Sequence, residues 1–277
     1  MSDLSGKLSH VDGVDLTEEE FLDAYVAKDY PKPSVTVDLV IFTVIDSDLK
    51  VLLIKRGGHP YRGCWALPGG FVNVGDGLRD QGEDLDTAAH RELEEETHLP
   101  KGSCYLEQLY TFGRAYRDPR TRVIDVAYFA LVRPTLAPLV TAGDDAADAR
   151  WFSVTELWDG GGLDTTGDVV KPLGETKVLG SLYNATLAFD HREILTKAVE
   201  RIRGRIDYSP IAFDLVPESF TVGELQSVHE AVKGRTYDPQ NFHRRFRRML
   251  TDGVIQIAPG HRVTGGRRAA VYTFQRR

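Results

Sequence analysis

One short helical segment, Arg91-Glu92-Leu93-Glu94-Glu95-Glu96, constrains the fold most, because its charges lie on the wrong side for a solvated helix. At about 100° per residue, Glu92, Glu95 and Glu96 share one sector of the helix. The apolar residues of that sector are Leu85, Ala88, Ala89 and Leu93. Carboxylates that face an interior repel one another and need compensation, which a hard cation such as Mg²⁺ supplies. The segment predicts a metal site that handles a diphosphate; the alternative is a surface helix that forms ion pairs.

Charge is distributed unevenly along the 277 residues. The net charge is -7, but residues 207–277 contain eleven Lys/Arg and seven Asp/Glu, a net charge of +4 that leaves -11 for the rest. An acidic body with a basic tail indicates two functions, of which nucleic-acid binding suits the tail. No run approaches the roughly eighteen apolar residues of a transmembrane helix, and the acidic start is not typical of a signal peptide, so we expect neither. Because Cys64 and Cys104 suit reduced thiols, we expect a cytoplasmic protein without a membrane partner.

The hydrophobic patterns predict an α+β fold with a mixed sheet flanked by helices, since there is no strict βαβ repeat. Strands are predicted at 34–42, 51–54, 106–111, 123–132 and 149–152. Helices are predicted at 17–30, 84–97 and 190–205. The Gly-, Asp- and Thr-rich segment 158–180 is expected to form a long surface loop or a lid.

The pattern Gly77-x5-Glu83-x7-Arg91-Glu92-Leu93-x-Glu95-Glu96-x-His98-Leu99, preceded by Leu67-Pro68-Gly69-Gly70-Phe71-Val72, resembles the Nudix box. The resemblance covers about residues 34 to 200 and implies a Nudix α/β/α sandwich. In that family the glutamates hold a divalent metal ion against a nucleoside diphosphate, and activated water cleaves the pyrophosphate. It implies that Glu92, Glu95 and Glu96 are catalytic residues and ligands of Mg²⁺ or Mn²⁺. Glu83 and Arg91 resemble the pair that stabilises the loop–helix–loop.

Two features depart from the family pattern. His98 replaces the closing glycine, at a position after a helix where a positive φ is common. Twelve residues separate Gly70 from Glu83, where the box has five. Either Gly77 substitutes for Gly70, or residues are inserted at Val74–Gly82. Both hydrolysis and binding without cleavage therefore remain open.

Three segments resemble those of Nudix proteins that bind ADP-ribose. They are Lys55-Arg56-Gly57-Gly58-His59-Pro60, Tyr110-Thr111-Phe112-Gly113 and Phe189-Asp190-His191-Arg192. The resemblance implies ligand-binding roles for Arg56, Gly69, Gly70, Phe112 and His191. Arg56 is expected to pair with phosphate, and an aromatic side chain near Phe112 to stack on a base. His191 either faces the pocket or only begins the last helix, where Asp190 is expected to be the N-cap.

The basic tail has the signals of two capped helices and a hairpin. Thr221-Val222-Gly223-Glu224 is a capping box, and Asp238-Pro239 begins a second helix. Segments 254–257 and 270–274 predict the hairpin. This order predicts a winged helix-turn-helix whose second helix enters the major groove of DNA. The predicted DNA-binding residues, on exposed helix positions and in the hairpin connection, are Gln240, Asn241, His243, Arg244, Arg245, Arg247, Arg248, Arg262, Arg267 and Arg268. The alternative is a basic face that serves solubility or protein contact.

A Nudix domain followed by a winged helix resembles the Nudix-related transcriptional regulators of bacterial NAD metabolism. The expected division is an N-terminal segment with a short helix at 1–32, a Nudix domain at 33–206 and a winged helix at 207–277. The resemblance implies a homodimer on palindromic operator DNA, with ADP-ribose as the effector and genes of NAD biosynthesis or salvage as the repressed genes. The alternative is a Mg²⁺-dependent ADP-ribose pyrophosphatase whose tail is accessory.

Overall fold

The computed structural model describes residues 32–75, 80–99, 102–139, 146–155, 187–264 and 266–276. The predicted helix at 17–30 and the predicted loop at 158–180 lie outside these residues. The described strands are β1 Ser34–Ile45, β2 Asp48–Arg56, β3 Trp65–Ala66, β4 Gly69–Phe71, β5 Tyr105–Phe112, β6 Val123–Leu131, β7 Ala146–Ser153, β8 Ser219–Phe220, β9 Ile255–Thr264 and β10 Arg267–Phe274. The described helices are α1 Leu85–Thr97, α2 His191–Arg205, α3 Val222–Lys233 and α4 Pro239–Thr251.

Seven of the described strands form a mixed sheet with the order β3-β2-β1-β6-β5, in which β4 pairs with β1 and β7 with β2. The pair β1–β6 is parallel and the other pairs are antiparallel. Because side chains alternate along a strand, β1 contributes to an apolar layer on each face of the sheet. Leu39 and Ile41 belong to the layer that contains α1, and Val40 and Phe42 to the layer that contains α2. The predicted α/β/α sandwich with a mixed sheet is confirmed.

Helix α1 is held by a narrow apolar stripe. Ala88, Ala89 and Leu93 are buried against the sheet, and the small side chains of the two alanines allow a close approach. The helix ends at His98, which has φ 58° and ψ 17° and donates its backbone N–H to the Glu94 carbonyl at 2.7 Å. His98 therefore adopts the left-handed conformation that explains why glycine is usual at this position.

The C-terminal part folds as a winged helix, as predicted. Helix α3 begins with the capping box, in which Thr221 accepts from the Glu224 N–H at 3.2 Å and Glu224 accepts from the Thr221 N–H at 2.7 Å. Helix α4 begins after Asp238, whose carboxylate accepts from the Asn241 N–H at 2.8 Å. Strands β8, β10 and β9 form the accompanying three-stranded sheet.

The core of the winged helix is continuous with one layer of the sandwich. Phe42 of β1 and Ile202 of α2 belong to the same buried apolar cluster as Phe220, Leu225 and Phe246. Helix α3 also contacts β2 and α2 directly. Apolar packing thus joins the sheet to the winged helix. No helix in the described part of the chain has both the length and the apolar character needed to span a membrane.

Candidate ligand cleft and nucleic-acid interface

A cleft of about 1100 Å³ opens where β4 runs beside β1 and α1 passes above them. Backbone pairing aligns Gly69 with Asp38 and Gly70 with Val37, so the turn after Pro68 forms part of the cleft wall. Among the residues that the sequence singled out, those lining the cleft are Arg56, Gly69, Gly70, Arg91, Glu92, Glu95, Glu96 and His191.

The three predicted metal-ligand glutamates differ in burial. Glu92 is only 6% exposed, and burial raises the pKa of its carboxyl group. Glu96 is half-buried. The prediction that all three continue the buried stripe is wrong for Glu95, whose side chain is 58% exposed. Glu95 lies at the edge of the shared sector, about 60° from Glu92, where α1 turns toward solvent.

Arg91 offsets part of the negative charge on this wall of the cleft. Its guanidinium bonds Glu83 at 2.7 Å, Glu92 at 2.7 Å and Glu95 at 2.8 Å, and it also donates to the Phe71 carbonyl at 3.2 Å. The hydrogen bonds from Arg91 lower the pKa of Glu83, and those to the carboxylates raise the pKa of Arg91. Arg91 thus ties the loop before α1 to two glutamates in the C-terminal half of that helix.

Asn73 and Glu83, at the two ends of the segment that separates them, lie side by side. The Asn73 N–H donates to Glu83 Oε1 at 2.9 Å, and the Glu83 N–H donates to the Asn73 carbonyl at 3.0 Å. Gly70 lies directly against α1, since a Cβ added there would be 2.4 Å from Glu92 Oε1. These contacts favour an insertion at 74–82 over a substitution by Gly77, which lies outside the described residues.

The glutamates fit Mg²⁺ in donor type but not in arrangement. Carboxylate oxygens are ligands that Mg²⁺ accepts. Within the described ranges, however, no group of three or more His, Cys, Asp or Glu side chains is placed to hold a metal ion. Arg91 already bonds Glu92 and Glu95, so a cation would first have to displace its guanidinium.

His191 lies at the floor of the cleft and is also the first residue of α2. Its Nδ1 accepts from the Leu67 N–H at 2.8 Å, which places the proton of the neutral ring on Nε2, 3.5 Å from Asp38 Oδ2. Burial lowers the pKa of His191, so the ring is neutral at pH 7. Asp190 is the N-cap residue but makes no side-chain cap; it accepts from Arg117 at 2.6 Å instead.

The sequence reasoning missed a buried charged cluster at the cleft, whose lining includes Asp38 and Arg117. Arg117 lies 3.7 Å from Asp38 and 3.9 Å from Asp125 in addition to its bond with Asp190. Asp125 accepts from the Thr36 hydroxyl at 3.1 Å, and burial beside the Asp38 carboxylate raises its pKa well above the usual value. A signal was present, because Asp38 is a charged residue within a mostly apolar, buried strand.

Phe112 does not line the cleft, which corrects its predicted placement near the ligand. It is 6% exposed and belongs to the apolar core on the α2 side. The register of β5 against β6 shifts between Gln108 and Tyr110, and such a bulge changes which side chains face the core. The phenylalanines that line the cleft are Phe71 and Phe189.

The second helix of the winged helix carries the exposed polar face that the sequence predicts. Phe242 and Phe246 are buried. Among the predicted DNA-binding residues of α4, those exposed are Gln240, Asn241, His243, Arg244, Arg247 and Arg248. The prediction that Arg245 is exposed is wrong, because its half-buried guanidinium donates to the Asp207 carboxylate at 3.1 Å.

The wing differs from the predicted hairpin in length. Its ladder runs to the tip, with Arg267 paired with Thr264 and Arg262 with Ala269, so the predicted arginines lie in strands and not in a connection. Arg267 and Arg268 are exposed. Arg262 bonds the Glu224 carboxylate and donates to the Ser219 carbonyl at 2.9 Å. A contact from Arg262 or Arg245 to DNA would therefore compete with bonds inside the domain.

Asp207, just after α2, joins three elements of the winged helix. Its carboxylate accepts from Lys233 of α3 at 2.8 Å, from the Tyr237 hydroxyl at 2.7 Å and from Arg245 of α4 at 3.1 Å. These donors lower the pKa of Asp207. The segment just after α2 is thereby tied to the middle of the helix that carries the exposed arginines.

His229 makes the folded state sensitive to acid. It is 1% exposed, and burial together with the positive charges of Arg245 and Lys233 lowers its pKa to about 4, although the Asp207 carboxylate 3.6 Å away opposes this effect. In the unfolded chain the value is about 6.5. Between these values only the unfolded chain takes up the proton, so stability falls as the pH falls.

We therefore expect the free energy of unfolding to be about 2 kcal/mol lower at pH 5 than at pH 7 on account of His229. Urea denaturation at both pH values measures the difference. His229→Gln cannot titrate and should lose this part of the pH dependence, while the part due to His191 remains. A variant with the full pH dependence of the original protein would contradict the assignment.

The comparisons with known proteins agree with this architecture. The NUDIX domain family matches residues 35–171, and the NrtR DNA-binding winged helix domain matches residues 212–274. The ADPR responsive transcriptional repressor NtrR of Acinetobacter baylyi is 33% identical over 258 residues, which are 93% of this chain and 88% of that protein.

Two further proteins resemble all or part of the chain. The crystal structure of Shewanella oneidensis NrtR complexed with a 27mer DNA is similar with a TM-score of 0.65 and 29% identity, over 87% of this chain and 93% of that one. An ADP-ribose pyrophosphatase of Methanocaldococcus jannaschii is 38% identical over 129 residues, 46% of this chain and 66% of that protein. The chain therefore belongs to the family of Nudix-related transcriptional regulators, in which a Nudix domain precedes an NrtR-type winged helix.

Proposed function

We propose that this protein is an ADP-ribose-responsive transcriptional repressor that binds double-stranded operator DNA. The observation that carries the proposal is the exposed arginine face of α4. The buried side of this helix belongs to the apolar core that also packs against the sheet, and the same sheet carries the cleft with one acidic and one basic wall. Arginine neutralises phosphates and forks onto guanine, and Gln240 and Asn241 occupy the first turn of α4, where base contacts are made. The relative from Acinetobacter baylyi, an ADPR responsive repressor, supports the same function.

The proposed repressor acts as a cytoplasmic homodimer on a palindromic operator, with two α4 helices about 34 Å apart. ADP-ribose binds the cleft with Arg56 facing phosphate. Its binding favours a dimer geometry that no longer spans both half-sites, which requires different ligand affinities in the two states. Helix α2 offers a direct connection, because it begins with His191 in the cleft and is followed by Asp207 at the winged helix. The proposed targets are genes of NAD biosynthesis or salvage.

Fluorescence anisotropy tests this function with DNA from upstream of this gene and of NAD-biosynthesis genes. Protein is titrated at fixed salt, and ADP-ribose is then added with a chelator that prevents turnover. We expect tight, sequence-selective binding that ADP-ribose releases, while adenosine at the same concentration does not. Weak, salt-sensitive binding to every DNA, unaffected by ADP-ribose both with the chelator and with Mg²⁺, would refute the repressor.

A second candidate function, hydrolysis of ADP-ribose, is favoured by the complete glutamate set and by the related pyrophosphatase. Mg²⁺ would be held by Glu92, Glu95 and Glu96 once Arg91 had moved. The test is Mg²⁺-dependent release of AMP and ribose 5-phosphate, measured by chromatography. Glu96→Gln should abolish this release, whereas the exposed Glu94 on the opposite side of α1 offers the matched control Glu94→Gln. Folded protein that yields no product with Mg²⁺ would exclude this function.

A further inference from the structure

The basic wall of the cleft contains an arginine, Arg120, whose orientation is fixed from within its own loop. The buried carboxylate of Asp118 accepts from Arg120 Nη2 at 2.7 Å, from Nε at 3.0 Å and from the backbone N–H at 2.9 Å. The Arg120 side chain remains 43% exposed and lines the cleft. This arrangement holds a guanidinium at the cleft without burying its charge.

Arg56 faces the same aromatic ring as Arg120. The Cζ atom of Arg56 lies 5.0 Å from the centroid of the Phe189 ring, and that of Arg120 lies 5.9 Å from it. Arg120 also lies 5.3 Å from the Phe71 ring, and the Nε of Arg56 donates to the Pro60 carbonyl at 2.9 Å. Both guanidiniums therefore have aromatic contacts, which suit cations.

The two guanidiniums repel each other. Burial and the positive charge of Arg120 lower the pKa of Arg56, although Asp38 and Asp118 oppose this effect. A pair of like charges held together at a cleft is stabilised by an anion placed between them. A diphosphate carries such charge on neighbouring groups, and arginine binds phosphate through several hydrogen bonds in a fixed plane.

Phe189, whose ring both arginines approach, is itself held in a fixed position. It has φ 51°, a conformation that is strained for a bulky side chain. Its ring contacts Tyr61 with a centroid distance of 4.7 Å and His191 with 5.3 Å. Because strained residues of this kind cluster at ligand sites, the position of the ring supports a binding role for this wall.

A metal ion on the opposite wall would be the alternative counter-charge for a diphosphate. The described glutamates of that wall are not arranged to hold one. Glu92 and Glu95 are bonded by Arg91, and the described residues hold no carboxylate group arranged around a cation. We propose that Arg120 and Arg56, whose guanidiniums lie 5.9 Å and 5.0 Å from the Phe189 ring centroid, bind the ligand's diphosphate, so that ADP-ribose binds without a divalent cation. This inference rests on the proposed function and assigns the diphosphate contact to Arg120 in addition to Arg56.

Isothermal titration calorimetry tests the inference with ADP-ribose in the presence of EDTA and, separately, of Mg²⁺. We expect the Kd of the original protein to change less than about threefold between the two conditions. A cation that bound the diphosphate through even one charge-assisted bond would change the Kd about tenfold. Arg120→Gln should raise the Kd in EDTA about tenfold to a hundredfold, which corresponds to the loss of one charge-assisted hydrogen bond. Arg120→Lys should recover part of that loss, because it restores the charge but not the planar fork.

The control is Arg62→Gln, which removes the same charge from an exposed loop residue outside the cleft lining and should bind ADP-ribose as the original protein does. Circular dichroism melting verifies that each variant is folded. Adenosine, which has no phosphate, should bind the original protein and Arg120→Gln equally. If Arg120→Gln binds ADP-ribose as tightly as the original protein, or if binding requires Mg²⁺, the inference fails and the proposed function survives. If no condition gives ADP-ribose binding, both fail.

Discussion

Replacing Gly69 with alanine is expected to destabilise the protein by about 3–5 kcal/mol, through strain and overpacking at one position. Gly69 has φ 150°, and an added Cβ would lie 2.2 Å from the Val37 carbonyl oxygen and 2.8 Å from the Asp38 Cα. Both neighbours belong to β1, the central strand of the sheet. Relief of the contact would require β4 to separate from β1, which would also open the cleft.

Urea denaturation measures this loss as a change in the free energy of unfolding. The matched control is Gly113→Ala, because a Cβ at Gly113 meets nothing within 4 Å and its φ lies outside the left-handed region. This control should change stability by less than about 1 kcal/mol. If Gly69→Ala were no less stable than Gly113→Ala, the close approach of β4 to β1 would be refuted.

Loss of two arginines from α4 is expected to weaken operator binding by about 10²- to 10⁴-fold in the double variant Arg244→Ala/Arg247→Ala. The two side chains are exposed and lie three residues apart on one face of the helix. A single arginine at a DNA interface contributes about 1–3 kcal/mol. Neither side chain is ion-paired within the described residues, so the fold should be unchanged.

Fluorescence anisotropy at several salt concentrations measures this effect. If the two arginines contact phosphates, the slope of log K against log salt should also decrease, by about 0.9 per lost contact. Arg62→Ala, on an exposed loop of the sandwich, is the control and should leave affinity and slope unchanged. Equal operator affinity of the double variant and the control at matched salt would refute α4 as the recognition helix.

The sequence predicts those features that depend on neighbouring residues. The capping box at Thr221, the first-turn Pro239 and the apolar run of β1 each have a local cause, and the structure confirms all three. The burial of α1 follows from helical periodicity, which also identifies Glu92 as an interior carboxylate. The exposure of Glu95 was not predicted, because helical periodicity gives the direction of a side chain around the helix but not where the buried surface ends.

Features that depend on distant parts of the chain could not be predicted. Arg117 meets Asp38, Asp125 and Asp190 only because a loop, two strands and the start of α2 converge. Arg245 has the exposed spacing of its neighbours on α4, but its orientation is set by Asp207, which lies 38 residues earlier. The basic wall of the cleft was likewise missed at Arg120, since no local pattern links it to Arg56.

The apolar cluster that includes both Phe42 and Phe246 has a consequence for how the protein melts. A buried cluster that spans two structural parts makes their unfolding one cooperative transition instead of two. A ligand that binds only the folded cleft then lowers the population of every unfolded form, by about 2.7 kcal/mol at a concentration a hundred times its Kd. ADP-ribose would thus protect the winged helix from heat and proteases for as long as it is bound, even though the protein has then released its DNA.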